Sequence, residues 1–532
     1  MQLRLPTIST SNAIIAGALK LAFSIWVLLA VAALFVMSLG TDEAWVLNGL
    51  RSVLHPQVQN LSTELIVTSG GVFALLNLAV EWAFGSQLWL HRSLSLLGLS
   101  GVVALVLHHL RVTRPPLAVQ LLAITPLLAV PGTIEVGTAA LGTSIGLFLM
   151  VASMFVWTAP AISLAKRIIF GGLLFGLAAA SRFDLVLFGF AVLLSSCVSF
   201  ETDSRLKLRI SLPAIAFLGI GMSVFFLNQW IMSQPANGIV TADIGAATGL
   251  GGRKFDYPKL LNNWLTLSTF FPVSLVALCM LSAFWLSPEV RKSTQSGVPR
   301  LGTLLAVTGL VLLVAWLFRA PIAHLRYVFP ALFCFAFLGA IGLQRIAAQA
   351  LSDGQHRHWL FCQCLGLTLM LGSIGNTTRS LVMSDSDYAS WEWTHEMPYD
   401  YFRRFEAQHH QREVAAFLQA ELPKDARLYS YVPYALRYLT ERPVVAIDLL
   451  QKADPIIQYK NRYLVLTPAI GTYFYLNSAA SNWILENAKL TKQIGRFSIY
   501  QLKDGNDADL EALQLRRTNY DKHPNSALWF GR

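Results

Sequence analysis

Charge is what this sequence has least of. Only 13% of its 532 residues are Asp, Glu, Lys or Arg, against roughly a quarter in an ordinary soluble domain. A soluble fold would have to hide the 54% that are hydrophobic, so the composition excludes that class and points into the membrane. Cysteine is scarce as well. The five, Cys197, Cys279, Cys334, Cys362 and Cys364, all lie in or beside apolar runs. Cys362-Gln-Cys364 is not a CxxC pair and no histidine cluster accompanies it, so small buried core residues are expected there, not a metal or redox site. The polar C-terminal region has no cysteine, which excludes a disulfide framework in it. No internal repeat or low-complexity tract is apparent. Gly249-Leu-Gly-Gly252 follows no strand and precedes no GK[ST], so it is not a phosphate loop and reads as a flexible outer loop. The net charge of +11 comes from short basic clusters between apolar runs. That pattern marks topology determinants and anionic headgroups, and no nucleic-acid partner is expected.

What the sequence does have is long apolar runs. Each run of about 18 or more near-uncharged residues is a spanning candidate. These fall at 13–39, 92–110, 117–132, 139–158, 168–181, 184–200, 210–231, 268–287, 302–318, 327–345 and 359–375. The first is too long for a cleaved leader and suits a spanning helix. The tight pair around Ser181-Arg182 predicts a hairpin or a broken helix. The stretch 62–84 is apolar enough to span, but Gly70-Gly71, Asn77 and Glu81 interrupt it. Charge placement arbitrates. With 62–84 lying along the surface, Arg111, Arg114, Lys166, Arg167, Arg205, Lys207, Arg209, Arg291, Lys292, Arg300, Arg345 and Arg357 share the inner side. The expectation is therefore an α-helical polytopic membrane protein with about eleven spans and interfacial helices in a first outer loop, 40–90. The membrane domain would run over 1–375. The region 376–532 shifts to charge and tyrosine. It predicts a small α/β domain on the outer side, with a helix at 411–422 and short strands at 427–432, 444–447, 463–467 and 497–502.

The strongest local signal is Gly40-Thr-Asp42-Glu43-Ala-Trp45, an acidic pair directly after the first span. A carboxylate at the water interface can take the proton from a hydroxyl that attacks a sugar C1; a polar helix end is the plainer reading. His55-Pro56, Asn60, Glu64, Thr68-Ser69-Gly70-Gly71, Gly85 and Arg92-Ser93-Leu94 follow in order. Later come Gly176-Leu-Ala-Ala-Ala-Ser181-Arg182-Phe183-Asp184 and His324-Leu-Arg326-Tyr327-Val-Phe-Pro330-Ala331.

In the order and spacing of these motifs, residues 1–350 resemble the GT-C superfamily of membrane glycosyltransferases. That group includes protein mannosyltransferases, aminoarabinose transferases acting on lipid A and arabinofuranosyltransferases. The Thr68-Ser69 region looks most like the last branch. The resemblance implies a GT-C-like fold and an inverting transfer of a hexose or pentose from a polyprenyl-phosphate donor to a hydroxyl. The acceptor would be a periplasmic glycan, lipid or protein, and the location the bacterial inner membrane. It implies that Asp42 is the catalytic acid of the motif and that Glu43 orients it or binds acceptor. Glu135, in the second outer loop, would bind acceptor or a divalent metal; no cofactor is otherwise implied. Two departures stand out: Ser-Arg-Phe-Asp where the family often has Thr-Arg-Pro-Asp, and Pro56-Gln57 where it has Pro-Pro.

A phosphate leaving group needs fixed cations. Arg326 and His324 are the first candidates, then Arg182, Arg319, Arg253 and Lys254. Arginine suits phosphate because its planar fork donates bidentately and stays charged. An outer-side arginine also runs against the positive-inside bias and so calls for a reason; the alternative is one that snorkels to headgroups or pairs with an acid of the tail. His55, Glu64, Glu135 and Tyr327 complete the candidate substrate contacts. The aromatic tract Tyr388 to Trp393 reads as an interface belt, and His409-His410 lacks spaced partners for a metal. Two other classes stay open: a transporter or flippase of a lipid-linked sugar, and a scaffold whose tail is the working part.

Overall fold

The computed structural model describes residues 8–36, 41–54, 71–111, 115–130, 132–198, 204–233, 300–319, 325–382, 410–430, 434–447, 458–466, 478–495 and 497–513. The chain divides into two compact units. One comprises Met1–Phe35 with Ile66–Arg379, the other Val36–Leu65 with Ser380–Arg532. The expected span 268–287 lies outside the described residues.

The first unit is helical. Its elements are α1 (Ile8–Val36), α3 (Gly71–Phe84), α4 (Leu88–Arg111), α5 (Leu117–Leu128), α6 (Thr133–Thr138), α7 (Thr143–Thr158), α8 (Leu164–Ser181), α9 (Val186–Val198), α10 (Ser204–Ser233), α11 (Leu301–Arg319), α12 (Leu325–Ser352) and α13 (His356–Val382). Among the described residues, six helices are long and apolar enough to cross a bilayer: α1, α4, α8, α10, α12 and α13. The chain is a multi-pass membrane protein. On α1 the inward stripe is Leu19, Ala22, Trp26, Ala30 and Ala33, while Ile14, Leu21, Leu28 and Phe35 stand exposed seven residues apart. An apolar outer face at that spacing fits lipid. By contrast α12 is buried along most of its length and forms the centre of the unit.

Close packing explains the small residues. A β-carbon on Gly176 of α8 would stand 2.5 Å from the Gly221 carbonyl oxygen of α10, so glycine permits the two backbones to approach. Beside this seam, Phe175 stacks on Phe217 at 5.5 Å. Polar groups in the interior are tied across helices: Trp26 Nε1 donates to Ser373 Oγ at 3.2 Å, and Ser373 Oγ to the Leu128 carbonyl at 2.9 Å. Without water, such groups must find protein partners.

Two segments differ from the sequence expectation, and a third takes one of the two forms it allowed. The run 117–132 is not one helix: α5 stops at Leu128, Gly132 adopts φ 75°, and the six-residue α6 follows. Pro126 in the last turn of α5 removes one backbone donor there. The stretch around Ser181-Arg182 is a broken helix, with Arg182 extended (φ −154°, ψ 112°) and a 3-10 turn over Phe183–Leu185 leading into α9. Of the cysteines, Cys334 and Cys362 are buried as expected, but Cys364 is exposed. Two residues along a helix turn about 200°, which takes Cys364 off the inward face.

Helix α3 covers 14 residues, about 21 Å at 1.5 Å per residue and short of the roughly 20 residues a span needs. Its polarity is inverted relative to a water-soluble helix. Phe73, Asn77 and Glu81, at four-residue spacing, are buried, whereas Leu75, Leu76, Trp82 and Phe84 are exposed.

The second unit holds α2 (Thr41–Leu54) and the C-terminal fold: α14 (Gln411–Ala420), β1 (Arg427–Ser430), α15 (Tyr434–Thr440), β2 (Val444–Ala446), β3 (Arg462–Leu466), α16 (Ser478–Asn487), β4 (Ala488–Ile494) and β5 (Phe497–Leu502). The sheet order is β2-β1-β3-β5-β4. The pairs β1–β2 and β1–β3 are parallel, and β3–β5 and β5–β4 antiparallel. Val414 and Leu418 of α14 pack with Leu428, Val444, Val465, Phe497 and Ile499 on one face. Tyr429, Leu464, Ile484, Leu502 and Leu510 fill the other. This alternation is what a sheet covered on both faces requires. Asp507 closes the fold by accepting from Arg427 Nε at 3.0 Å, from Arg427 Nη2, and from the buried Tyr429 hydroxyl at 2.5 Å.

Candidate active site

Each unit carries part of the candidate set. In the second, Asp42 and Glu43 occupy the first turn of α2. Glu43 is buried, 1% exposed; the Asp42 side chain lies outside the described residues. Every described side chain of α2 from Glu43 through Arg51 is buried. Near the other end of the helix, Arg51 sits over the Tyr438 ring, 4.7 Å from its centroid, and 3.6 Å from Glu441 Oε1. His55 and Glu64 lie outside the described residues.

In the first unit, Arg182 is the best-defined candidate. It caps α8 in an extended conformation, which turns its side chain out of the helical path. Its Nε donates to Asp184 Oδ2 at 3.0 Å and stands 2.7 Å from Oδ1, and its Nη1 donates to Thr143 Oγ1 at the start of α7. The start of α3 approaches the same turn: a β-carbon on Gly71 would meet Ala180 Cβ at 2.9 Å, and the conformation there, φ 63°, favours glycine. Glu135, buried in α6, is 1% exposed. The start of α3, the start of α7 and the α8–α9 turn thus gather at one end of the unit. At the end of α4, Gln344 Nε2 donates to the Leu110 carbonyl at 2.6 Å, and Arg111 Nε donates to Gln120 Oε1 at 3.0 Å.

Arg319 is the last residue of α11, and Arg326 and Tyr327 open α12. Their side chains lie outside the described residues, as do His324, Arg253 and Lys254 entirely. Among the described residues, no group of three or more His, Cys, Asp or Glu could hold a metal ion.

Sequence reading missed a buried polar network on α3 and α4. Asn77 Nδ2 donates to the Phe73 carbonyl at 2.8 Å, which leaves its Oδ1 facing His91 Nδ1 at 2.8 Å. His91 Nδ1 therefore carries the proton of that bond. His91 Nε2 lies 3.2 Å from Glu81 Oε2, and Ser86 Oγ donates to Glu81 Oε1 at 2.7 Å. The imidazole and the carboxyl share one further proton between them. Asn77, Glu81 and His91 are each at most 5% exposed, and adjacent Arg92, fully buried, directs Nη1 at the Leu34 carbonyl. The legible signal was the four-residue spacing of Asn77 and Glu81 in an otherwise apolar run. Sequence reading took both as interruptions.

The chain is similar in fold to solved structures. It superposes on ArnT from Cupriavidus metallidurans in the apo state with a TM-score of 0.56, covering 91% of this chain and 97% of ArnT at 12% identity. Against the same ArnT bound to undecaprenyl phosphate the TM-score is 0.55, with 91% and 98% covered at 12% identity. The chain shares the fold of ArnT. At that identity the likeness is one of fold, and it extends through the C-terminal unit because it spans nearly the whole of both chains. No protein-family profile matches this chain, and no curated protein sequence does.

Proposed function

We propose that this protein is an inverting glycosyltransferase that moves a sugar from a polyprenyl-phosphate donor to a hydroxyl acceptor at the periplasmic face of the bacterial inner membrane. The observation that carries the reading is the match over nine-tenths of the chain to a fold solved with undecaprenyl phosphate bound, together with an acidic pair opening α2. In this reading 1–375 forms the membrane domain and 376–532 a periplasmic α/β domain.

Asp42 takes the proton of the acceptor hydroxyl as its oxygen bonds to the anomeric carbon from the face opposite the phosphate. The bond from that carbon to the phosphate oxygen breaks, and the electron pair leaves with the polyprenyl phosphate. Arg326, with His324, Arg182 and Arg319 behind it, neutralises that oxygen. Glu43, buried, orients its neighbour. His55, Glu64, Glu135 and Tyr327 contact the substrates. The donor carries a hexose or a pentose, and the acceptor is a glycan, a lipid or an exported protein.

The test uses membranes containing the full chain and a panel of radiolabelled undecaprenyl-phosphate sugars. One sugar of the panel is transferred by wild type, and Asp42→Asn reduces that transfer by about 10²–10⁴-fold, the usual scale for a general base. Arg326→Ala and Arg182→Ala weaken the binding of undecaprenyl phosphate itself, measured by native mass spectrometry. Wild-type turnover in a folded Asp42→Asn protein refutes the reading. Sugar-lipid movement across liposomes without any acceptor favours a flippase instead.

A further inference from the structure

We infer that Arg51 is a positioning residue: seated on Tyr438 and paired with Glu441, it clamps the helix that carries the acidic pair to the C-terminal α/β fold. The inference rests on the reading of Asp42 and Glu43 given above, and it assigns the C-terminal fold a part in the reaction.

Two independent observations carry it. The first is the seat of Arg51. Arg51 is 6% exposed, and its guanidinium lies 4.7 Å above the ring of Tyr438, itself 3% exposed. A cation over an aromatic face gains most where water is excluded. Nη2 reaches Glu441 Oε1 at 3.6 Å, and the position in the last turn of α2 also favours a cation.

The second is the backbone of Glu441. Among the described residues it is the one non-glycine at positive φ, 55°. It follows the last residue of α15, and its N–H closes the turn onto the Arg437 carbonyl at 2.9 Å. Glycine or asparagine is the usual occupant of such a left-handed cap. A glutamate there is conformationally disfavoured, and its carboxylate faces Arg51. The turn is held from both sides: Arg437 Nε donates to the Val444 carbonyl, and the Arg442 N–H donates to Thr440 Oγ1 at 3.2 Å. A disfavoured residue in a fixed turn points to a role for its side chain.

The geometry along α2 fits positioning. Nine residues, about two and a half turns, separate positions 42 and 51 and place them on opposite sides of the helix. Arg51 thus fixes the far end of α2 and sets its rotation without occupying the side of position 42.

The experiment uses the full chain in nanodiscs and reads amide hydrogen exchange in α2 and in the sheet, alongside transfer kinetics. Arg51→Ala and Glu441→Gly are expected to raise exchange in α2 by roughly five- to tenfold, the scale of one partly buried cation–π contact with its ion pair. Exchange in β1 and β3 stays at the wild-type rate. Glu441→Gly also relieves the left-handed strain, so its sheet is at least as protected as wild type. A merely structural role would not separate the two in this way. Turnover falls several-fold in kcat while KM for the donor is unchanged, and Arg51→Lys restores part of it. Unchanged α2 exchange in both variants overturns the clamp, as does equal loosening of α2 and the sheet. Faster α2 exchange with wild-type kcat overturns the positioning role. Wild-type turnover in Asp42→Asn sinks the reading of the acidic pair instead, and leaves the exchange result to decide the clamp.

Discussion

Glu81 offers the sharpest test of the packing. Its carboxyl accepts from the part-buried Ser86 and shares a proton with His91, whose ring is also held by Asn77; Asn77, Glu81 and His91 are closed to solvent. Glu81→Leu fills nearly the same volume but leaves the Ser86 hydroxyl and His91 Nε2 without their partner. The buried His91 Nε2 left without a partner costs about 1–3 kcal/mol and the part-buried Ser86 hydroxyl about 1 kcal/mol, so the loss is about 2–4 kcal/mol, the leucine's burial standing in for that of the glutamate methylenes. Glu81→Gln keeps a polar group facing both neighbours and costs about 1 kcal/mol. Thermal melting of the detergent-solubilised full chain, followed by tryptophan fluorescence, resolves the two. The scaling for large domains, about 2 °C per kcal/mol, predicts a fall of roughly 4–8 °C for leucine and about 2 °C for glutamine. A double variant, Glu81→Leu with His91→Leu, removes both ends of the pair and costs less than the sum of the two single changes. A Glu81→Leu protein that melts with wild type, or a glutamine variant as damaged as leucine, refutes the network as drawn.

The C-terminal sheet gives a prediction in pH. Burial, and then the hydrogen bond to Asp507, raise the pKa of the Tyr429 phenol. The folded state therefore keeps this proton above about pH 10, where an unfolded tyrosine releases it. Below that pH Tyr429 contributes no pH dependence; above it the native state binds more protons and stability falls as pH rises. In alkaline denaturation followed by tyrosinate absorbance, one phenolate should appear only with unfolding, and Tyr429→Phe should abolish it while costing about 1 kcal/mol at neutral pH. In the membrane unit, two glycines should respond oppositely. Gly176→Ala pushes a methyl group into the Gly221 carbonyl and Val224 and should destabilise by about 1–3 kcal/mol. Gly219→Ala meets nothing within 4 Å and should stabilise by about 0.5–1 kcal/mol through helix propensity. Melting temperatures of the two variants check both signs.

Legibility followed the range of the interaction. The helix of α1 and the broken turn at Arg182 were readable because apolar periodicity and a lone charge in an apolar run are local signals. Strand β5 was placed at 497–502 as found, and β1, β2 and β3 to within two residues, because β-branched and aromatic runs bounded by turns mark half-buried strands. Strand β4 was not. Its sequence, Ala488-Lys-Leu-Thr-Lys-Gln-Ile494, is exposed over most of its length at the sheet edge, where lysines blunt pairing and erase the apolar signal. Helix α15 was missed for the same kind of reason: a seven-residue helix gives too few turns for a period to show.

The candidate site divides along the same line. Asp42, Glu43 and Arg182 announce themselves because a charge beside an apolar run is costly and so asks for a cause. The partners of these groups do not announce themselves. Thr143 beside Arg182 and Tyr438 under Arg51 are ordinary residues in their own segments, and only the fold brings them within reach. His91 is the clearest case. In the chain it is one histidine at the start of an apolar helix, and nothing within a helical turn of it explains its burial. Its acceptor, Asn77, and its proton-sharing partner, Glu81, lie on the preceding helix, ten or more residues back across a turn at Gly85. The cost of burying a polar group is visible in a sequence; the group that offsets it is a property of the fold, which is why charged positions were found and their supports were not.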